Sequence, residues 1–332
     1  MQTYLIDILQ CPACHGELQW HITDRHDDRI EAADARCSAC AATYPVREGI
    51  GVFLTPDLPR DDLWEQVDSR LAQYLHQHPE VERQLMEVPP ETLSPADQMF
   101  RALILDERGE YAAAKIAAEL ARARVYTPEY LACSDGQVQQ AIEYLSLSAG
   151  PIVDLASGLG HLVEEMARQL TQPVVATDFS PRVLRRDRRR LEFFGLYDRV
   201  SLLAFDARRT PFKDGTVKTL TTYQGLANIR EPGKLLRELR RVVCGEFLAL
   251  SIFYPEDDEA NAEAITELGL ADLLFRQTAL EHFAEAGWEV EVIYSCTGKA
   301  RPTPTGRVLE GAGIDALPVA ETRLEWCTLL AK

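Results

Sequence analysis

Two sets of residues in this 332-residue chain have the types and spacing to do chemistry. The first is a pair of short turns, Cys11-Pro12-Ala13-Cys14 and Cys37-Ser38-Ala39-Cys40, separated by twenty-two residues. Each turn aims two thiolates to one side, and two such turns complete the tetrahedral shell of a Zn²⁺ ion. Because Cys11, Cys14, Cys37 and Cys40 fill all four positions, the metal is expected to be structural. In so small a unit zinc supplies most of the folding free energy, on the order of 10 kcal/mol. A redox dithiol is the alternative, and His15 is expected at the surface.

The second set begins with Asp154-Leu155-Ala156-Ser157-Gly158-Leu159-Gly160-His161 at the end of a strand-like run. Gly158 and Gly160 let the backbone approach a ligand closely. Asp178 follows Gly158 by twenty residues, at the next strand end, where its carboxylate can accept both hydroxyls of a ribose. A third strand ends in Phe205-Asp206-Ala207, placing Asp206 to accept from an adenine amino group and the Ala207 amide to face the ring. Phe179 lies against the adenine or is an ordinary core aromatic. The combination says adenosine. An acidic residue opening the loop, the lack of a third glycine for pyrophosphate and the third aspartate favour S-adenosylmethionine over NAD. Taken singly, each aspartate also reads as a turn or helix-cap residue.

Transfer of an activated methyl needs chiefly an in-line nucleophile at about 3 to 3.5 Å. No metal or covalent residue is demanded, so no diagnostic catalytic motif is expected. His161, Tyr223, Gln224, Asn228 and Tyr254 stand near the ends of the first, fourth and fifth strands. Tyr223 and Asn228 are the first candidates for catalysis, and Tyr223 is also a candidate at the cofactor; packing or capping is the competing role for each.

The elements that must position these groups follow from periodicity. Strand-like runs at 151–155, 174–177, 200–204, 217–223, 246–253, 288–294 and 323–330 alternate with helical stretches, which indicates an α/β fold with a seven-stranded, doubly wound, Rossmann-like sheet. Its ligands bind beyond the carboxyl ends of the strands. Residues 17–22 alternate like a strand of the ribbon, and 24–28 read as a polar loop. Between Pro56 and Gly150 the composition turns polar and helical, with N-terminal signals at Ser94-Pro95, Thr127-Pro128 and a capping box from Ser134 to Gln137. Such helices either fold over the crevice, bringing Tyr126 and Tyr130 to the pocket, or form a solvated connector. The expected units are a ribbon at 1–56, a helical connector or lid at 57–149 and a cofactor-binding domain at 150–332.

The segment before the first cysteine pair, Leu5 to Leu9, and Tyr44 to Ile50 after the second resemble the small zinc-ribbon activator subunit that partners tRNA, rRNA and protein methyltransferases. Residues 150–332 resemble class I S-adenosylmethionine-dependent methyltransferases through Asp154 to Gly160, Asp178, Asp206 and the run Gly225 to Pro232. Members of that family commonly have glycine where this chain has Ala156, two histidines where it has Ala227-Asn228 and an aspartate where it has Lys218. The resemblance implies cofactor binding and a ribbon that docks a partner or substrate, or steadies an attached enzyme.

The formal charge of −17 falls most heavily, at about −9, on residues 57–150. That argues against non-specific nucleic-acid binding. The basic face formed by Arg182, Arg185, Arg186 and Arg189, with Arg188 and Arg190 nearby, receives phosphates or matches the acidic middle segment. Cys133, Cys244, Cys296 and Cys327 are scattered, a usage that fits metal ligation in a reducing compartment better than a disulfide framework. With no long apolar run and no signal-like start, a soluble, cytoplasmic protein is expected. The leading function is methyl transfer to an undetermined small-molecule, protein or RNA acceptor. A non-catalytic cofactor-binding scaffold, an RNA methyltransferase and an NAD enzyme are the competitors.

Overall fold

The computed structural model describes residues 1–57 and 74–332; the opening of the expected helical connector, 58–73 with Pro59, lies outside the described residues. Among the described residues eleven strands form one sheet. They are β1 (Leu18–His26), β2 (Arg29–Cys37), β3 (Thr43–Arg47), β4 (Ile50–Val52), β5 (Ile152–Asp154), β6 (Val174–Asp178), β7 (Val200–Ala204), β8 (Val217–Tyr223), β9 (Val243–Phe253), β10 (Val290–Ala300) and β11 (Thr322–Ala331). Their spatial order is β1-β2-β3-β4-β7-β6-β5-β8-β9-β11-β10.

All seven expected strands are present, but the count of seven is too small. The ribbon strands β1 to β4 do not stand apart: β4 runs parallel to β7, with Ile50 opposite Leu202 and Val52 opposite Ala204. A three-residue strand has too little periodicity to reveal so distant a partner. Strand β1 also continues to His26 through the stretch expected as a loop, leaving Asp27 and Asp28 as the turn to β2. From β7 across to β9 the pairing is parallel, and β11 joins it antiparallel. The chain order reverses at β5 and β8, so the crevice beyond their carboxyl ends is where a ligand belongs.

Helices cover both faces. On one, α6 (His161–Gln169) and α7 (Pro181–Phe193) bury Leu162, Val163, Met166, Leu184 and Leu191 against the inner strands. On the other, α8 (Pro232–Val242) buries Leu235, Leu236, Leu239 and Val242, spaced as one helical stripe. The short α1 (Leu5–Ile8) places Leu5 in that second core, beside Leu9 and Phe53. The ribbon thus shares a hydrophobic core with the cofactor sheet.

The middle segment contains α2 (Pro79–Glu87), α3 (Pro95–Glu107), α4 (Tyr111–Val125) and α5 (Pro128–Leu145). Ser94 and Thr127 cap α3 and α5 as expected, accepting from the amides of Asp97 and Tyr130 at 3.1 Å. The capping box at Ser134 does not form. Thr127-Pro128 has already started α5, so Ser134 and Gln137 are interior residues facing the sheet; Gln137 donates to the carbonyls of Ser251 and Cys327. One disulfide, Cys133–Cys296, ties α5 to β10, contrary to the expectation that disulfides would not figure. The fold is completed by α9 (Glu259–Glu267), α10 (Ala271–Leu274) and α11 (Arg276–Glu285). Among the described residues no helix is long and apolar enough to cross a membrane.

Candidate cofactor crevice and acceptor cavity

Strand β5 is buried throughout and ends at Asp154, whose side chain is 1% exposed. Burial pushes its carboxyl up to about 7, and the neighbouring charge of Asp178 adds to the effect. Oδ1 of Asp154 lacks a partner. After it the chain makes a tight loop in which Ala156, Gly158 and Gly160 all take positive φ, at 53°, 53° and 71°. The loop is fastened on two sides: the Leu155 amide donates to Thr221 of β8, and the Ser157 amide to Thr177 of β6. Gly160 then caps α6, whose first amides point back at the loop and favour an anionic group there.

Asp178, at the end of β6, supports that loop directly. Its Oδ2 accepts from the Gly158 amide at 3.0 Å and its Oδ1 from the Ser180 amide at 2.9 Å. A carboxylate at the carboxyl end of such a strand is a group that can accept from ribose hydroxyls. Phe179, half-buried, is adjacent. Beyond β7, Asp206 is buried but engaged: Arg208 donates to Oδ1 from Nε at 3.0 Å and to Oδ2 from Nη2 at 2.7 Å. An adenine amino group would therefore meet the remaining lone pairs of a paired carboxylate. Ala207 is buried beside it. Sequence reasoning missed Arg208 because a residue two places along a loop carries no periodic signal.

Tyr223 ends β8 half-buried, its hydroxyl 3.1 Å from Ser134 Oγ on α5. Burial raises its phenol above the ordinary range. Beyond it, Gln224 and Asn228 line a cavity of about 270 Å³, with Tyr254 at the end of β9 and Tyr126 and Tyr130 from the middle segment. Tyr223 does not border this space, and His161 lies outside it, exposed at the start of α6. Asp315 and Leu317, from the loop between β10 and β11, complete the wall and were not anticipated.

The four cysteine sulfurs lie within 4.8 Å of one another. Cys11 and Cys40 are 3.6 Å apart, Cys14 and Cys37 3.5 Å. A tetrahedron of Zn–S bonds near 2.3 Å has edges of about 3.8 Å, so the donor set suits zinc. Amides of Ala39 and Cys40 also point at Cys37 Sγ, as suits a thiolate. His15 is exposed and outside the cluster.

Of the arginines on α7, Arg186, Arg188 and Arg190 have acidic partners within the chain. Arg190 pairs with Asp106 at 2.6 Å and Glu164 at 2.9 Å, and Arg188 pairs with Glu31 at 3.0 Å. Arg182, Arg185 and Arg189 line a separate crevice that also contains Asp106, Glu107 and Tyr111.

Comparison with known proteins agrees with this layout. Residues 152–244 match the family described as methyltransferase domain, and residues 2–49 the family described as Trm112p-like protein. The ubiquinone/menaquinone biosynthesis C-methyltransferases of Escherichia fergusonii and Salmonella arizonae are each 32% identical over 108 residues, 31% of this chain and 43% of theirs. The chain thus spans less than half the length of these relatives. Among solved structures, the YcgJ protein of Bacillus subtilis superposes with a TM-score of 0.47 at 16% identity, over 59% of this chain and 97% of that one. A SAM-dependent methyltransferase from Aquifex aeolicus does so with a TM-score of 0.41 at 15% identity, over 58% and 88%. The chain thus joins a segment similar to a methyltransferase domain, at 152–244, to an N-terminal segment similar to Trm112p-like protein, at 2–49.

Proposed function

We propose that the chain as a whole is an S-adenosylmethionine-dependent methyltransferase whose acceptor enters the cavity beyond β8 and β9. The observation that carries this reading is the convergence of the Asp154–Gly160 loop, Asp178 and Asp206 at the carboxyl ends of three adjacent parallel strands, beside that cavity. When bound, the cofactor supplies a methyl group already activated by the sulfonium. For their part, Asp178 would hold the ribose, Asp206, Ala207 and Phe179 the adenine, and the glycine loop with Ala156 the amino-acid end. Tyr223 would fix α5 above the crevice through Ser134, and Asn228 is one of the polar groups we assign to the acceptor's cavity.

We further propose that Cys11, Cys14, Cys37 and Cys40 hold structural zinc, and that residues 1–56, 57–149 and 150–332 act as ribbon, cover and cofactor unit in a cytoplasmic enzyme. The ribbon's β4 edge is already paired with β7, which favours a ribbon that steadies its own chain. Strand β1 remains as the outer edge for a protein partner. The pairing of Arg186 and Arg190 with Asp106 favours the acidic middle segment over RNA as what this helix faces. A cofactor-binding scaffold is the second reading, favoured by Ala227-Asn228 where related enzymes place histidines.

Isothermal titration with S-adenosylmethionine and its demethylated product tests the main reading. Both are expected to bind, and Asp178→Ala to weaken both by about tenfold or more through loss of charge-assisted hydrogen bonds. Absence of heat with either ligand on folded, zinc-replete protein would overturn it. Product formed from a cell extract then separates enzyme from scaffold.

A further inference from the structure

The loop 301–321 forms one wall of the acceptor cavity, contributing Arg301, Thr303, Asp315, Leu317 and Pro318. Its own backbone bonds are confined to the turn at 306–312, as from the Gly306 amide to the Ala312 carbonyl at 2.8 Å, and two buried side chains pin it. Asp97, at the start of α3 and 0% exposed, accepts from the amides of Arg307 at 2.9 Å and of Val308 and Leu309 at 3.2 Å. Against the opposing effect of burial, the Ser94 hydroxyl and these amides together hold its carboxyl below the ordinary range. Asn261, on α9 and also 0% exposed, accepts from the Val319 amide at 2.8 Å and donates to the Ala320 carbonyl at 3.1 Å. At Gly306 a Cβ would lie 2.4 Å from the Leu309 carbonyl oxygen and 2.9 Å from Asp97 Oδ1, so the turn tolerates only glycine. The wall is therefore built in place by the middle segment and α9.

What it encloses is chemically lopsided. Most of the lining is apolar: Leu226, Ile252, Leu273, Phe283 and Leu324 are typical. Tyr126 and Tyr130 stack with ring centroids 4.4 Å apart, and Tyr130 meets Trp326 edge-on at 4.9 Å, giving a rigid aromatic flank. The loop's polar groups gather on one side, where the Tyr126 hydroxyl donates to Asp315 Oδ2 at 2.8 Å. Arg301 is the one cation among the described lining residues. A phosphodiester chain would find that guanidinium offset by Asp315. A volume of about 270 Å³ is at the small end for an organic ligand and admits no nucleotide segment.

Resting on the methyltransferase reading above, we infer that the acceptor is a small, ring-bearing, largely apolar molecule with one protic group directed at Asp315 and Tyr126. The rings lie against the tyrosine stack, and the hydroxyl or amine donates to the free lone pairs of Asp315. A run of several nucleotides or residues is disfavoured by the same walls.

The test uses the full chain, zinc-loaded, titrated with 2-naphthol as a two-ring probe with a single hydroxyl, with the demethylated cofactor and with a short RNA duplex. Wild type is expected to bind 2-naphthol at sub-millimolar concentration. Leu273→Trp, which fills the cavity, should weaken it by about tenfold or more, and Asp315→Ala, on the surface of the loop, by several-fold, both with unchanged affinity for the demethylated cofactor. If the cavity variant does not fold, the Asp315 variant still decides. The inference is overturned if 2-naphthol fails to bind, if it binds wild type and Asp315→Ala equally, or if the RNA duplex displaces it. Cofactor binding without 2-naphthol binding sinks the acceptor class alone; failure of the cofactor to bind sinks the methyltransferase reading instead.

Discussion

Ala156 and Gly225 face one another across the cofactor loop so closely that a Cβ on Gly225 would sit 2.8 Å from the Cβ of Ala156. Ala156 also holds a φ of +53°, a region that costs a residue with a Cβ about 1–2 kcal/mol. The loop therefore tolerates one methyl group here, on the side where related enzymes have none. Ala156→Gly is expected to raise stability by about 1 kcal/mol, or roughly 2–4 °C in Tm. Gly225→Ala should be strongly destabilising alone and less so beside Ala156→Gly, a non-additivity expected of residues in contact. Thermal melts of the two single variants and the double variant check this. A less stable Ala156→Gly protein would remove the strain argument.

Zinc removal should act on the whole molecule. Strand β4 pairs with β7, the Gln10 amide donates to the Pro211 carbonyl at 2.7 Å, and Arg29 reaches the carbonyls of Tyr197 and Val200 at 2.9 and 3.1 Å. Phe53, stacked on Tyr44 at 5.6 Å, lies in the same core as Leu203 and Val175 of the cofactor sheet. In calorimetry, chelation or Cys11→Ser is expected to move a single unfolding transition downward by at least about 5 °C, because metal-binding energy is folding energy here. Two transitions, with only a minor one responding to metal, would show that the ribbon folds independently.

The parts that were legible in sequence are those with a short-range signature. The cysteine turns, the glycine loop and the seven strands after Gly150 each carry a pattern within a dozen residues. Asp97, Asn261 and Asp315 carry none for their place in the wall: besides local bonds to Ser94, Asp258 and Thr303, the bonds by which they fasten distant segments span at least 58 positions along the chain. The Ser134 capping box failed for a related reason. The local pattern was present, but Thr127-Pro128 nucleated the helix seven residues earlier, and Ser134 was taken up by Tyr223. Pairing of β4 with β7 was likewise decided by an open sheet edge, which no three-residue stretch announces.

Asp154 offers a pH test of the crevice. In the unfolded chain its carboxyl titrates near 3.8, and in the folded chain burial holds it near 7. Between those values the native state keeps a proton that the unfolded state has lost, so this group's contribution to stability falls as pH rises, by roughly 1 kcal/mol per pH unit, and levels off above 7. Asp187, buried beneath Gly160 and also pushed up to about 7, acts in the same direction, whereas Glu164, held down to about 2 by its arginine partners, keeps its contribution until far lower pH. Total stability therefore mixes opposing groups, and the informative quantity is the difference between wild type and Asp154→Asn. Urea unfolding of the cofactor-free protein at pH 4.5 and pH 8 is expected to show the variant gaining on wild type as pH rises, because an amide has no proton to lose. A difference that stays constant, or shifts toward wild type at pH 8, would mean that Asp154 is ionised in the folded crevice and that its isolation from water is not what sets its charge.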